Sequence, residues 1–331
     1  MTDSDLDVLT IGMMMGEVSP PRFGVRIGEA DHLLLFPSGS ATIFSLALAR
    51  LGGRIGLISR VGDDELGWWM QATLAAEGID TAGITSVPGQ LTPLSLASVD
   101  DRGEKTFAYY RFPDLCDPLN TLRSEEIGDA HLRRARVFDF TESSLRSPVL
   151  RETSLRLARR ARDLGLTVCY NPNYRPSAWT GGSTEAADVQ REAVRLADLV
   201  VLNEAEACLI AGASEARAAG RRLVDLGPSL VVMTRGPLPV LVVSGAEVVE
   251  VPAVPADVVF DIGAGDVFHA GFLAEWKPGA DPVRCATFAA HASALKIFRP
   301  PQLTELPTRA EVMARMGGDD QLATSWTAPM G

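Results

Sequence analysis

The sequence predicts an α/β fold: a mostly parallel central sheet with helices on both faces, and a small second β-sheet standing off it. Short apolar runs alternate with amphipathic helical segments along most of the 331 residues, the pattern of βαβ units. Caps and glycine stops fall where that alternation needs them. Two stretches, 20–36 and 91–111, break the rhythm with β-type alternation.

In chain order, 8–12 reads as a buried strand and 40–51 as a helix closed by Gly52 and Gly53. Residues 55–61 form the next strand. The helix 65–77 follows, with Asp63 or Asp64 as N-cap and Gly78 at its end. Strand 137–140 precedes helix 148–164, which has Ser147 as cap and Pro148 at its first position. Strand 166–170 comes next, and the segments 186–197, 199–202, 204–211, 216–226 and 230–234 continue the alternation. The off-rhythm strands are 33–36, 94–99 and 106–111, the last two joined by a hairpin loop at Asp100, Asp101, Arg102 and Gly103. They read as a small sheet and candidate lid, or else as two surface hairpins without a role. The polar tail 317–331 is expected to be poorly ordered.

Composition narrows the function. With 46% hydrophobic and 22% charged residues the chain is globular. A net charge of −11 without any basic run argues against nucleic acid. Cys116, Cys169, Cys208 and Cys285 form no CxxC pair and only four His exist, which argues against a structural zinc site and fits reduced thiols in a cytoplasm. The N-terminus is acidic where a signal peptide needs basic residues. No apolar run approaches the roughly 20 residues of a membrane span, and Met13, Met14 and Met15 read as buried chain.

The most informative segment runs from Gly263 to Trp276, a small-residue turn leading straight into an apolar helix with Asp266 in its first turn. Gly263 and Gly265 let the backbone approach a ligand closely. The free amides and positive dipole end of the helix attract an anion. Asp266 beside that anion can take a proton from an attacking hydroxyl. An anion cradle next to a carboxylate base is the equipment of phosphoryl transfer. The alternative is a glycine-rich turn with an Asp near a helix start. A nicotinamide-type dinucleotide fold is disfavoured, because Gly12 to Gly16 after the first strand lacks the Gly-x-Gly-x-x-Gly fingerprint.

Over about residues 6–310 the chain resembles the ribokinase-like (PfkB) carbohydrate kinases. Residues 46–67 are similar to that family's N-terminal signature and 263–272 to its C-terminal one. The resemblance implies a three-layer α/β/α domain comprising 1–12, 37–90 and 115–316, with a β lid from 13–36 and 91–114. It implies transfer of the ATP γ-phosphate to a sugar hydroxyl. Asp266 is then the base, and the amides of Gly263, Ala264 and Gly265 form the anion hole. Asn203 and Glu206 match an Asn-x-x-Glu motif that positions Mg²⁺ and its waters. Read alone, they are a helix N-cap and its capping-box partner, and both readings can hold. Thr234 and Gly236 resemble the nucleotide-side loop. Ala290 and Ser293 lie on the helix that walls the adenine.

Three segments resemble the 2-keto-3-deoxygluconate kinases and their fructokinase-like neighbours. They are Thr10 to Pro20, Tyr109 to Arg111, and Asn173 to Pro176 with Trp179. Tyr109, Arg111 and Arg175 are the implied substrate contacts, and a planar guanidinium suits a sugar carboxylate. Arg175 has ATP phosphates as its alternative partner, Arg111 a role as edge charge, and the aromatic rings ordinary packing. Glu17 aligns with the family's sugar-binding Asp, and Gly39 keeps the second of its paired glycines. A homodimer through the lid is the implied assembly.

The chain departs from the pattern at its sugar end. Ser38 replaces the first glycine, Ile43 stands where a sugar-binding Asn belongs, and Phe260-Asp261-Ile262 replaces Asp-Thr-Thr. The last change argues against a monovalent-cation site. Taken together, the residues and the resemblance predict an ATP- and Mg²⁺-dependent kinase for a sugar or sugar acid. A nucleoside or cyclitol acceptor, or a non-catalytic binding protein of the same fold, is the alternative.

Overall fold

The computed structural model describes residues 5–21, 24–99, 105–110, 117–176, 179, 182–256, 262–297, 299 and 306–324. Strand β1 (Leu6–Ile11) leads into β2 (Met15–Ser19) and β3 (Leu34–Ser38), then helix α1 (Ser40–Arg50), β4 (Ile55–Gly62), α2 (Glu65–Ala76), β5 (Ile84–Val87), β6 (Leu94–Val99) and β7 (Lys105–Tyr110). After the short α3 (Asp129–Leu132) come β8 (Ala135–Thr141), α4 (Pro148–Asp163), β9 (Thr167–Asn171), α5 (Gly182–Leu196), β10 (Leu199–Asn203), α6 (Glu204–Ala211), α7 (Ala216–Leu226) and β11 (Leu230–Arg235). The hairpin β12 (Leu238–Ser244) and β13 (Glu247–Val251) precedes α8 (Ala264–Glu275), α9 (Pro282–Ile297) and α10 (Arg309–Thr324).

Nine strands form the main sheet in the order β13-β12-β11-β10-β9-β8-β1-β4-β5. Every pairing from β11 to β5 is parallel, and the β12–β13 hairpin closes one edge antiparallel. Successive strand residues point to opposite faces, and each face buries its own apolar core. Val137, Val201 and Val232 pack with Phe44 of α1, Phe272 of α8 and Phe288 of α9. Phe138, Val200 and Met233 pack with Leu155 of α4, Val194 of α5 and Leu223 of α7. This is the expected three-layer α/β/α arrangement. The chain works outward from β1 in one direction and from β8 in the other. The crevice at the carboxyl ends of these two neighbours is therefore the switch point where such sheets bind ligands.

The four-stranded second sheet has the order β3-β2-β6-β7. It is mixed: β2 pairs antiparallel with β3 and parallel with β6, and β6 pairs antiparallel with β7. The loop at Asp100 to Gly103 lies outside the described residues. In register, Glu17 of β2 stands opposite Phe36 and Ser95, and Ser95 opposite Tyr109, so these side chains share one face.

Several expectations are refined. Asp64 rather than Asp63 caps α2, its carboxylate accepting from the Gly67 amide at 2.7 Å. Ser147 occupies the N-cap of α4 without a side-chain cap, and its carbonyl accepts from the Arg151 amide at 2.8 Å. Strands β12 and β13 were not anticipated, because Pro237 and Pro239 interrupt their sequence. Pro239 sits beside the register shift of β11–β12 and one residue before pairing with β13 begins at Val240, where no ladder donor is needed. Helix α10 continues past residue 317 to Thr324, anchored by buried Val312, so helical backbone extends into the segment expected to be unordered. Among the described residues no helix is long and apolar enough to cross a membrane.

Candidate active site

Helix α8 is entered through Gly263, whose φ of +80° is left-handed. A Cβ there would meet Ile43 only at ordinary contact distance, 3.4 Å, so it is the dihedral that asks for glycine. The first intrahelical bond runs from the Val267 amide to the Gly263 carbonyl at 2.9 Å. The amides of Ala264, Gly265 and Asp266 therefore have no intrahelical acceptor and carry the positive end of the helix dipole.

Asp266 is buried in this first turn. Its Oδ1 accepts from Ser40 Oγ at 2.6 Å and from Asn173 Nδ2 at 3.0 Å, and Asn173 Nδ2 also reaches Ser40 Oγ at 2.6 Å. Asn173 has a φ of +40°, the only positive φ at a non-glycine among the described residues, in a region Asn tolerates better than most. Burial pushes the Asp266 carboxyl above its ordinary range. The Ser40 hydroxyl, the charge of Arg175 and the Asn173 amide all oppose that shift. A buried carboxylate held by two neutral donors is a suitable proton acceptor near neutral pH.

At the carboxyl end of β10, Asn203 caps α6. Its Oδ1 accepts from the Glu206 amide at 2.9 Å, and Glu206 Oε2 accepts from the Asn203 amide at 2.9 Å. Glu206 Oε1 accepts from the Tyr174 amide at 2.8 Å, which ties the loop after β9 to α6. Burial raises the Glu206 carboxyl, with the two backbone donors opposing. In the small sheet, buried Glu17 accepts from Ser38 Oγ at 3.1 Å and Ser95 Oγ at 3.3 Å, and burial raises it too. Gly39, at the N-cap of α1, has a φ of +98°, and a Cβ would lie 2.5 Å from the Met13 carbonyl oxygen.

Two cavities meet at the first turn of α8, where Asp266 faces the smaller one. A polar cleft of about 260 Å³ is lined by Asn171, Asn173, Arg175, Asn203, Glu206 and Asp266, with Phe107 of the small sheet reaching it. A larger, mainly apolar groove of about 850 Å³ is lined by Thr234, Gly236, Val254, Ala290 and Ser293. Thr234, Gly265 and Phe268 line both. The amino end of α8 therefore forms the threshold between a polar and an apolar compartment.

The family model described as pfkB family carbohydrate kinase matches residues 5–309. The chain belongs to that family. It is 32% identical over 206 residues to Fructokinase-1 of Zea mays, an alignment spanning 62% of each chain. It is 26% identical over 291 residues to the fructokinase of Vibrio alginolyticus, covering 86% of this chain and 93% of that one. Among solved structures, the fructokinase of Xylella fastidiosa with bound ATP superimposes with a TM-score of 0.84 at 25% identity, covering 95% of this chain and 99% of that one.

Within this family member the structure brings together Gly263, Ala264, Gly265, Asp266, Thr234, Asn203, Glu206 and Arg175 around the two cavities, with Gly236, Ala290 and Ser293 along the groove. Ser293 Oγ donates to the Ala264 carbonyl at 3.0 Å, tying α9 to the turn. Glu17 is buried in the small sheet, and Tyr109 on β7 is 49% exposed and stacked on Phe107. Arg111, Phe260 and Asp261 lie outside the described residues. Trp179 is a packing residue: it is buried, its indole N–H donates to Glu142, and the Arg151 guanidinium lies 5.5 Å from its ring. Ser40 and Phe107 are site residues that sequence reasoning missed. A Ser at a helix start carries no signal of its own. The one available signal was that Ser40 follows the two small residues Ser38 and Gly39.

Proposed function

We propose that the protein is an ATP-dependent sugar kinase that transfers the γ-phosphoryl group of ATP to a hydroxyl of a ketohexose-type acceptor. The observation that carries this is the position of Asp266, buried at the amino end of α8 where the polar cleft opens into the apolar groove. The groove has the size and lining of a nucleotide site. The cleft offers the amides, carboxylate and guanidinium that an acceptor needs. Asp266 removes the acceptor's hydroxyl proton as that oxygen attacks phosphorus, and the amides of Gly263, Ala264 and Gly265 stabilise the charge on the transferring group.

Asn203 and Glu206 fit Mg²⁺. They are hard oxygen donors beside the phosphate end of the cleft, suited to an ion that keeps much of its hydration. When bound it neutralises phosphate charge. The small sheet serves as the lid: Phe107 already lines the cleft, and Glu17 and Tyr109 on the same face contact the sugar. Closure excludes water and so protects ATP from hydrolysis. The exposed Leu35 on the opposite face supports pairing of this sheet with a second copy. A sugar acid is the second acceptor class, favoured by Arg175 in the cleft.

ADP release with Mg-ATP, measured across fructose, other ketohexoses, 2-keto-3-deoxygluconate, nucleosides and cyclitols, tests the proposal. A ketohexose should raise ADP release above the ATP-only rate, and Asp266→Asn should lower that rate by roughly 10²- to 10⁴-fold. If the variant keeps its rate, Asp266 is not the base. If no acceptor raises the rate, the chain is a binding protein.

A further inference from the structure

Directly behind the catalytic turn lies a cluster that phosphoryl transfer does not use. His269, three residues after Asp266 on α8, meets Asp139 of β8 and Cys169 of β9, and all three are buried. Nε2 of His269 is 3.2 Å from Asp139 Oδ1 and 3.4 Å from Cys169 Sγ. The nitrogen, oxygen and sulfur all lie within 4.8 Å of one another. We propose that Asp139, Cys169 and His269 supply three ligands to a buried transition-metal ion of the zinc class, at a site separate from the Mg²⁺ of phosphoryl transfer.

The nitrogen–oxygen and nitrogen–sulfur separations match a shared ion. Around a tetrahedral zinc with ordinary bond lengths, a nitrogen and an oxygen ligand lie about 3.3 Å apart, and a nitrogen and a sulfur about 3.5 Å apart. The hydrogen-bond count also points to a missing partner. Asp139 Oδ1 is buried and has no aligned hydrogen bond among the described residues, although Nε2 is close. Nε2 has one in-plane position to offer, and its aligned contact is with the Cys169 sulfur. Hydrogen bonds alone thus leave a buried carboxylate oxygen to the weak thiol donor of Cys169, a costly arrangement for a buried charge. A cation between the three atoms satisfies all of them at once.

The surroundings are those of a metal site. Thr10 Oγ1 of β1 donates to Asp139 Oδ2 at 2.8 Å, which turns Oδ1 inward as the ligand oxygen. Phe44 of α1 stacks on the His269 ring with centroids 4.5 Å apart and fixes its plane. Such outer contacts orient ligands and exclude water. The donor set of thiolate, imidazole and one carboxylate suits zinc or cobalt and not Mg²⁺. Binding releases the thiol proton of Cys169 to solvent. The three residues are thirty and one hundred positions apart in sequence, so no ligand spacing betrays them.

The test uses the full chain, unfolded in chelator and refolded with Zn²⁺, with Co²⁺ or with chelator only. About one equivalent of zinc should survive dialysis by elemental analysis. The cobalt form should show a thiolate-to-metal charge-transfer band, and X-ray absorption at the zinc edge should find one sulfur with nitrogen and oxygen neighbours. Zinc-refolded protein should melt several degrees above the chelator-refolded protein. Cys169→Ser should abolish the charge-transfer band, and His269→Ala should lower bound metal at least tenfold. Because these buried substitutions endanger folding, the wild-type spectra stand as an independent criterion. Less than a tenth of an equivalent of bound metal overturns the proposal. So does a metal without sulfur, or one that folded Cys169→Ser retains with its spectrum unchanged.

Discussion

Replacing Ser40 with Ala isolates the group that holds the carboxylate of Asp266, the proposed base. Ser40 Oγ donates to Asp266 Oδ1 at 2.6 Å, and Ala removes one oxygen with little change of shape. A hydrogen bond to a charged group contributes about 1.5–3 kcal/mol. Asn173 Nδ2 still donates at 3.0 Å, so the lower end applies, about 1.5–2 kcal/mol. If that interaction orients the base in the transition state, kcat falls by roughly 10- to 30-fold. The hydroxyl also opposes the upward push of burial on Asp266. Without it the acid limb of the kcat/KM profile moves to higher pH. The groove that would hold the nucleotide is not lined by Ser40, so KM for ATP stays unchanged. Steady-state ADP release across pH, with ATP and acceptor varied separately, reads all three quantities. A variant with kcat within twofold of the parent and an unmoved acid limb would refute the role given to Ser40.

Two further outcomes follow from the same geometry. Asp266→Asn should raise Tm at pH 8 while lowering turnover by the roughly 10²- to 10⁴-fold given above. The folded-state pKa of Asp266 is raised by burial, so the cost of its charge is fully present above that pKa and is lost as pH falls from it to the ordinary carboxylate range; the gain in Tm should shrink across that window, and a gain constant with pH would contradict the assignment. Gly39→Ala places a Cβ 2.5 Å from the Met13 carbonyl oxygen at a φ of +98°. Strain of this kind costs about 1–3 kcal/mol, so a urea midpoint unchanged from the parent would show that the turn relaxes freely.

The parallel layers were legible because β1, β4, β8, β9, β10 and β11 are mostly buried, mainly apolar runs alternating with helices. The turn into α8 with its buried Asp266 was legible because glycine, glycine and carboxylate are close together in sequence. The β12–β13 hairpin was not, since Pro237 and Pro239 look like a loop until the register shift shows where a missing N–H is harmless. The role of Asn173 was hidden for a different reason. Its residue type was noticed, but its hydrogen bonds to Ser40 and Asp266 depend on a left-handed backbone that no side-chain pattern announces. Ser40 and the Asp139–Cys169–His269 cluster depend on contacts between residues far apart in the chain, beyond the reach of local spacing.

The tripeptide Ser38-Gly39-Ser40 carries a consequence for specificity. Ser38 holds Glu17 on the small sheet, and Ser40 holds Asp266 on the main domain. Their Cα atoms are at most about 7 Å apart, a span set by bond lengths. Glu17 and Asp266, the proposed acceptor contact and base, are therefore gauged against each other by covalent chain, with a backbone at Gly39 that other residues strain to adopt. Sugars of different size must be accommodated by shifting the whole small sheet as a unit. Substitutions at Glu17 and at Ser40 will then be strongly epistatic, though the two residues sit in different sheets and helices.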